Sequence, residues 1–317
     1  MLPYIDDFLL NLQATNYSPK TIYNYERDLK CFDTFLEESK VAFHDLNKRI
    51  IIYYKAYLGS IDRKTVGHAD KTPHHQLDSR SINRMLSSLR SYLSYLIDMD
   101  YPCPVPPEAV KLIKTVRKHP QVAELEDLIR LVEAPGSLEK NHKVALRNRA
   151  MLEILFATGM RISELCQLNR NQIDASGRIF ITGKGKKQRF VYLTPRAKRH
   201  LDTYLRTRQD NMPSLFIPYA GRNVSNPRKR ISANYLQEKI KRYREKLKIN
   251  VPTSAHSLRH GYATYLAEEG ANPAALQILL GHESLDTTTR YVHTSDRYAE
   301  ETHHKYHPLR DPVDNAQ

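Results

Sequence analysis

The chain has 317 residues and carries 49 Lys and Arg against 35 Asp and Glu, a formal net charge of +14; this length suits two domains of ordinary size, and the basic balance predicts attraction to a polyanion. Its three cysteines, Cys31, Cys103 and Cys166, form no CxxC pair and no Cys/His zinc spacing, which argues against a disulfide scaffold or zinc module and predicts a reduced, cytoplasmic setting. No apolar run approaches the ~20 residues of a membrane span, and the acidic Asp6 and Asp7 are unlike the basic start of a secretory leader.

The first hundred residues read as helices. Ser18-Pro19 is a helix start, a capping hydroxyl followed by proline in the first turn, and Ile22, Tyr25, Leu29, Phe32 and Leu36 then repeat at helical spacing. Ile50 to Leu58 predicts another helix, and the polar stretch Gly59 to Leu77 a loop. Asp78 or Ser79 caps the next helix, whose buried face is Ile82, Leu86, Leu89, Leu93 and Leu96 and whose opposite face carries Arg80, Arg84, Ser87 and Ser91. Four prolines between Tyr101 and Pro107, then the basic Lys111 to Lys118, predict an exposed linker, with the domain boundary between Pro102 and Pro120. Beyond it, helices are expected at Glu124 to Glu133 and Val144 to Thr158. A small β hairpin is expected from Arg178 to Thr182 and Arg189 to Leu193 around Gly183-Lys184-Gly185. Helices resume from Pro195, with Asn234 to Lys248 and Ser257 to Glu269 as the clearest candidates. The fold class expected is mainly α with a small β-sheet, an α+β C-terminal domain behind a helical N-terminal one.

Several residues stand out for their chemistry. Arg161 follows Thr158-Gly159-Met160, where glycine permits a tight corner between helices; taken alone it equally reads as a surface arginine after a helix break. Lys184 sits in a glycine-flanked basic turn, but GxxxxGK[ST] is absent, so this is not a nucleotide phosphate loop. His256 and Arg259 form HxxR at a helix start, on one face and near a helix end that favours anions. His282 closes LLGH, and Tyr291 lies nine residues on in TTTRYVH. Tyr291 is one of 20 tyrosines, and with an ordinary pKa of ~10 it needs neighbours that help it lose a proton. His303, His304 and His307 invite a metal reading, but their spacing is not a standard ligand pattern and no carboxylate or cysteine joins them.

The ordered set Arg161, Lys184, His256, Arg259, His282 and Tyr291 resembles the active site of the tyrosine recombinases, the superfamily of phage integrases and Xer recombinases. The surrounding words ATGMRISEL, ITGKGKKQR, HSLRHGYATYL and LLGHESLDTTTRYVH match as well, and the tail HHKYHPLR is similar to the end of Xer proteins. The likeness is strong over residues 144–308 and mainly architectural over the first 118. It implies a helical, SAM-like core-binding domain over residues 1–101, a linker over 102–120 and a catalytic domain with a protomer-docking tail over 121–317, closing as a two-domain clamp on duplex DNA. It also implies the roles. Tyr291 attacks the scissile phosphate and joins the DNA 3′ end; Arg161 and Arg259 hold non-bridging oxygens; Lys184 protonates the leaving 5′ oxygen; His256 takes the tyrosine proton; and His282 hydrogen-bonds the phosphate. Neither metal nor ATP is required, so no cofactor is expected.

DNA contacts are expected from residues 183–199, with seven basic groups and no acid, and from residues 222–248, with ten basic groups and only Glu238 and Glu245. In the N-terminal domain Ser18, Lys20, Arg80 and Arg84 are the candidate contacts. The resemblance implies a homotetramer on two double-stranded recombination sites that exchanges strands through a Holliday junction. Pairing with a paralogue and activation by a septal DNA translocase are further partners known among Xer proteins. Chromosome-dimer resolution and mobile-element integration or excision both fit. A type IB topoisomerase using a similar residue set, or a non-catalytic DNA-binding protein of the same fold, are the alternatives.

Overall fold

The computed structural model describes residues 1–60, 76–115, 123–183, 188–225 and 229–281. The chain divides into two compact units, Met1–His119 and Pro120–Gln317.

The first unit is helical: α1 (Ile5–Ala14), α2 (Pro19–Glu38), α3 (Lys48–Gly59) and α4 (Ser79–Asp98). Ser18 starts α2, its hydroxyl accepting the Thr21 backbone N–H at 3.1 Å, with proline in the first turn. The stripes on α2 and α4 meet in the core, where Leu29, Phe32, Leu86, Leu89, Leu93 and Leu96 are closed to solvent beside Phe8 and Tyr54. Polar links also cross this interface: the buried Asp28 carboxylate of α2 accepts from Arg84 and, at 3.0 Å, from the Ser88 hydroxyl, both on α4, and the Tyr25 and Ser91 hydroxyls meet at 3.3 Å. Most of the loop expected between Gly59 and Leu77 lies outside the described residues.

The proline-rich stretch is not the exposed linker that its composition predicts. The helix α4 ends on the left-handed Asp100 before the first proline, Val105 and Val110 enter the first core, Pro107 is buried, and Asn83 of α4 pairs with both backbone groups of Ile113 at 2.8 and 2.9 Å. Apolar side chains between the prolines turn the segment back onto its own unit as far as it is described.

The second unit is built around α6 (His142–Thr158), which packs on α5 (Leu125–Leu138), α8 (Pro195–Arg206) and α10 (Ala255–Glu268). This helix is buried nearly all round, with Ala145, Ala150, Met151, Leu152, Ile154 and Leu155 closed to solvent together with Arg147, Asn148 and Glu153. Its buried polar groups are matched. Arg147 donates to the Ile217 carbonyl at 2.8 Å, to Asn148 Oδ1 and to the Tyr235 hydroxyl. Asn148 in turn reaches Tyr243 of α9 (Ala233–Lys246), and Tyr243 donates to Glu139. The short helix α7 (Ile162–Gln167) follows directly after the α6 corner. The antiparallel strands β1 (Arg178–Thr182) and β2 (Gln188–Tyr192) pair Ile181 with Arg189 and Phe180 with Phe190. Their alternation buries Ile179, Ile181, Arg189 and Val191 on one face and exposes Phe180, Phe190 and Tyr192 on the other. The last described helix, α11 (Pro273–Leu280), ends on Gly281.

Gly159 makes the α6–α7 corner. It is left-handed at φ +59°, and a Cβ there would stand 2.4 Å from a ring carbon of Tyr262. Gly159→Ala is expected to destabilise the second unit by about 2–4 kcal/mol, backbone strain and overpacking together, with Tyr262→Ala relieving only the packing part; urea denaturation of the full chain reads both. Arg84→Ala is expected to lower the stability of the first unit by about 1–3 kcal/mol, short of the full loss for a buried pair because Arg84 is 41% exposed. Arg80→Ala should stay within ~0.5 kcal/mol of the parent.

Candidate active site

Three of the expected catalytic residues lie among the described ones, and local structure brings them to one corner. Arg161 is the residue before the first turn of α7, placed there by the glycine corner. Its backbone N–H is accepted by Glu164 Oε2 at 2.8 Å and its Nη1 by Glu164 Oε1 at 3.0 Å, so one side chain three residues on fixes both the start of the helix and the guanidinium. With 36% of its side chain exposed, Arg161 remains open to solvent.

His256 and Arg259 stand in the first turns of α10, which Ser254 and Ser257 cap reciprocally at 3.0 and 3.2 Å. Arg259 is buried. Its Nη1 donates to the Gly159 carbonyl at 2.6 Å and its Nη2 to the Leu280 carbonyl at 2.7 Å. The first bond ends two residues before Arg161, so α10 and the glycine corner hold the two arginines in one neighbourhood. Burial, and then the charges of Arg259 and Arg161, depress the His256 pKa below its ordinary value. The imidazole is thereby kept neutral and able to accept a proton at neutral pH.

Two residues that the sequence reading did not single out complete this corner. Glu164 is nearly closed to water and also accepts from Arg189 of β2, Nη1 to Oε1 at 3.0 Å and Nη2 to Oε2 at 2.8 Å. Burial alone would raise its pKa, but the hydrogen bonds and charges of Arg189 and Arg161 carry it below the ordinary carboxylate value. Arg189 also donates Nε to the Leu279 carbonyl at 2.9 Å. The signal for Glu164 was its place three residues after Arg161 in RISEL; Arg189 was hidden within a basic run.

Lys184, His282 and Tyr291, and also His303, His304 and His307, lie outside the described residues. Lys184 falls in sequence between β1 and β2, and His282 directly follows Gly281.

The basic stretches are only partly available to a partner. Arg189 is buried on Glu164; Arg196 donates to Glu153 and Glu133; Arg230 donates to the Gln167 and Leu168 carbonyls and to Asn169; Lys239 bonds Glu139. Arg189 is thereby removed from the surface, while Arg196, Arg230 and Lys239 each have a partner within the chain. In the first unit Ser18, Lys20, Arg80 and Arg84 are all exposed at the surface. Ser18 caps α2, Lys20 lies 5.9 Å from the Tyr23 ring centre, and Arg84 is held by Asp28. No helix among the described residues is long and apolar enough to cross a membrane.

With this geometry in view, comparison with known proteins is specific. The family described as "Phage integrase family" matches residues 121–297, and "Phage integrase, N-terminal SAM-like domain" matches residues 5–99. Tyrosine recombinase XerD of Staphylococcus epidermidis is 32% identical over 312 residues, covering 96% of this chain and 98% of that protein. Tyrosine recombinase XerC of Thermodesulfovibrio yellowstonii is 33% identical over 313 residues, covering 96% of each. Among solved structures, the XerH site-specific recombinase bound to a palindromic difH substrate, a post-cleavage complex, superposes with a TM-score of 0.70 at 23% identity, over 91% of this chain and 80% of that one. The lambda integrase tetramer bound to a Holliday junction gives 0.68 at 18% identity, over 93% and 77%. At these identities the two structures speak to the fold, and the family rests on the sequence matches. The chain belongs to the phage integrase family: it is a tyrosine recombinase, an enzyme of site-specific DNA recombination.

Proposed function

We propose that this recombinase cleaves DNA with Tyr291 as nucleophile on a phosphate held by Arg161 and Arg259. The tyrosine oxygen bonds to phosphorus and the bond to the 5′ oxygen breaks. The 3′ end stays joined to the enzyme, and Lys184 supplies the proton that leaves a 5′ hydroxyl. His256 takes the tyrosine proton and His282 hydrogen-bonds the phosphate. The planar forks of two arginines suit non-bridging oxygens and stabilise the added charge of the transition state. The phosphotyrosine conserves the bond, so rejoining needs neither ATP nor a metal ion. The observation that carries this reading is the corner at Gly159, where the Arg259 guanidinium bonds the carbonyl two residues before Arg161 and both arginine charges act on His256.

In this reading the first unit, Met1–His119, with the proline-rich segment packed on its core, is the core-binding domain, and Pro120–Gln317 is the catalytic domain. Arg80 and Ser87, exposed on α4, face the groove, and the capped start of α2 with Ser18 and Lys20 meets the backbone. Arg84 acts first on Asp28 and secondarily on DNA. The solved relative that holds a Holliday junction as a tetramer supports assembly of four protomers on two sites. The sequence relatives are named as Xer tyrosine recombinases; the proposed roles are chromosome-dimer resolution in the cytoplasm and mobile-element integration or excision. A paralogous recombinase and a septal DNA translocase are the partners proposed with this role.

The test uses purified full-length protein with nicked duplexes tiled across its own genomic locus and the replication terminus, in EDTA, scored on denaturing gels. A covalent adduct is expected from the parent and none from Tyr291→Phe, while Arg161→Ala is expected to slow adduct formation about 10²–10³-fold. An adduct that survives in Tyr291→Phe would refute the assignment of the nucleophile. Because the lowered pKa of His256 keeps it neutral in the free protein, the second-order cleavage rate at sub-saturating DNA should hold at neutral pH and fall on an acid limb with its midpoint below 6.5. His256→Gln should slow the reaction and remove that limb; a pH–rate profile of both proteins decides it.

A further inference from the structure

The reaction as assigned gives no role to Arg189, yet its placement is unusual for a residue in a basic hairpin. It lies on the inner face of β2 opposite Ile181 and is 8% exposed. Its Nη1 and Nη2 engage Glu164 in a bidentate pair, and its Nε engages the last turn of α11 through Leu279. It is therefore turned inward and unavailable as a DNA contact. Each Glu164 oxygen takes one bond from Arg189 and one from Arg161: Oε1 from the two Nη1 groups, and Oε2 from Arg189 Nη2 and the Arg161 backbone. Four donors match the lone-pair sites of a carboxylate, so Glu164 has one orientation and, through it, so does Arg161.

The charges lead to the same point. Arg161 and Glu164 alone form a neutral pair, which would weaken attraction for a phosphate. With Arg189 behind the carboxylate the group carries one net positive charge, and the only one of its three members substantially open to solvent is Arg161. Charges removed from water act on one another more strongly than surface pairs.

We propose that Arg189 is a positioning residue for strand cleavage: it holds Glu164 from behind, so that Arg161 is aimed at the scissile phosphate and keeps its charge for it. Arg189 touches neither phosphate nor base and acts through Glu164. The same guanidinium ties the strand that follows Lys184 in the chain to the helix end that precedes His282, so one side chain joins three segments that carry assigned residues. The proposal rests on the reading of Arg161 as a phosphate ligand.

Single-turnover adduct formation is measured on the nicked duplexes used above for the parent, Arg189→Ala, Arg189→Lys, Arg161→Ala and the Arg161→Ala/Arg189→Ala double variant, with DNA affinity and thermal melting followed in parallel. Arg189→Ala is expected to lower the cleavage rate about 10–100-fold, with the half-saturating DNA concentration within about threefold of the parent. Arg189→Lys, which keeps the cation and loses the fork, should recover part of the rate; it replaces the alanine variant in the comparison if that variant melts below the assay temperature. In the double variant the loss should not exceed that of Arg161→Ala by more than about threefold, since both act through one contact. A parental rate in Arg189→Ala, or losses that multiply in the double variant, overturns the proposal. If Arg161→Ala itself cleaves at the parental rate, or the parent forms no adduct, the reading of the site fails and the proposal with it. A slow Arg161→Ala beside a normal Arg189→Ala defeats the proposal alone.

Discussion

Glu164 accepts four hydrogen bonds from two arginines while almost closed to water. A carboxylate removed from solvent is tolerable only when its charge and lone pairs are matched. That requirement draws β2 and the start of α7 to a common point. Arg259 completes the frame from another direction by bonding the carbonyls of Gly159 and Leu280. The neighbouring carbonyls of Leu279 and Leu280 are thus each met by a buried arginine, which also suits the negative end of a helix. The corner is an electrostatic lattice of short elements packed on α6.

Much of this was legible in the chain, for identifiable reasons. The stripes of α2 and α4 declared themselves because each helix has one wet side, and the hairpin because two β-prone segments flank a glycine-rich turn. Helix α6 gave a weaker signal: it is buried on nearly all sides and carries Arg147, Asn148 and Glu153 inside, so periodicity marks neither face nor start, and the helix begins two residues before the expected Val144. The segment after α4 misled for the opposite reason. Proline content reports where a helix must stop; it says nothing about Val105, Val110 and Ile113, whose side chains and backbone find partners in the unit just completed.

The site divides in the same way. Arg161, His256 and Arg259 were recognisable from neighbouring residues that make the local turn or helix start. Glu164 and Arg189 were not, because what distinguishes them is burial against a partner 25 positions away. An acid at the third position of a helix is ordinary, and an arginine after Lys186 and Lys187 reads as one more solvated charge. The count of basic residues likewise does not show which of them have partners within the chain, as Arg196, Arg230 and Lys239 do.

Gly281 sets a constraint of another kind. It is left-handed at φ +63°, and a Cβ at this position would lie 3.0 Å from Arg189 Cδ and 3.1 Å from its Nη1. The residue that ends α11 and the residue that secures Glu164 therefore share one space. A side chain at 281 strains the left-handed backbone and also presses on the Arg189 side chain that holds the carboxylate, so substitutions at 189 and 281 are expected to be non-additive. Over evolutionary time the two positions are expected to be inherited as a unit, although one lies in a strand and the other at a helix end more than ninety residues later.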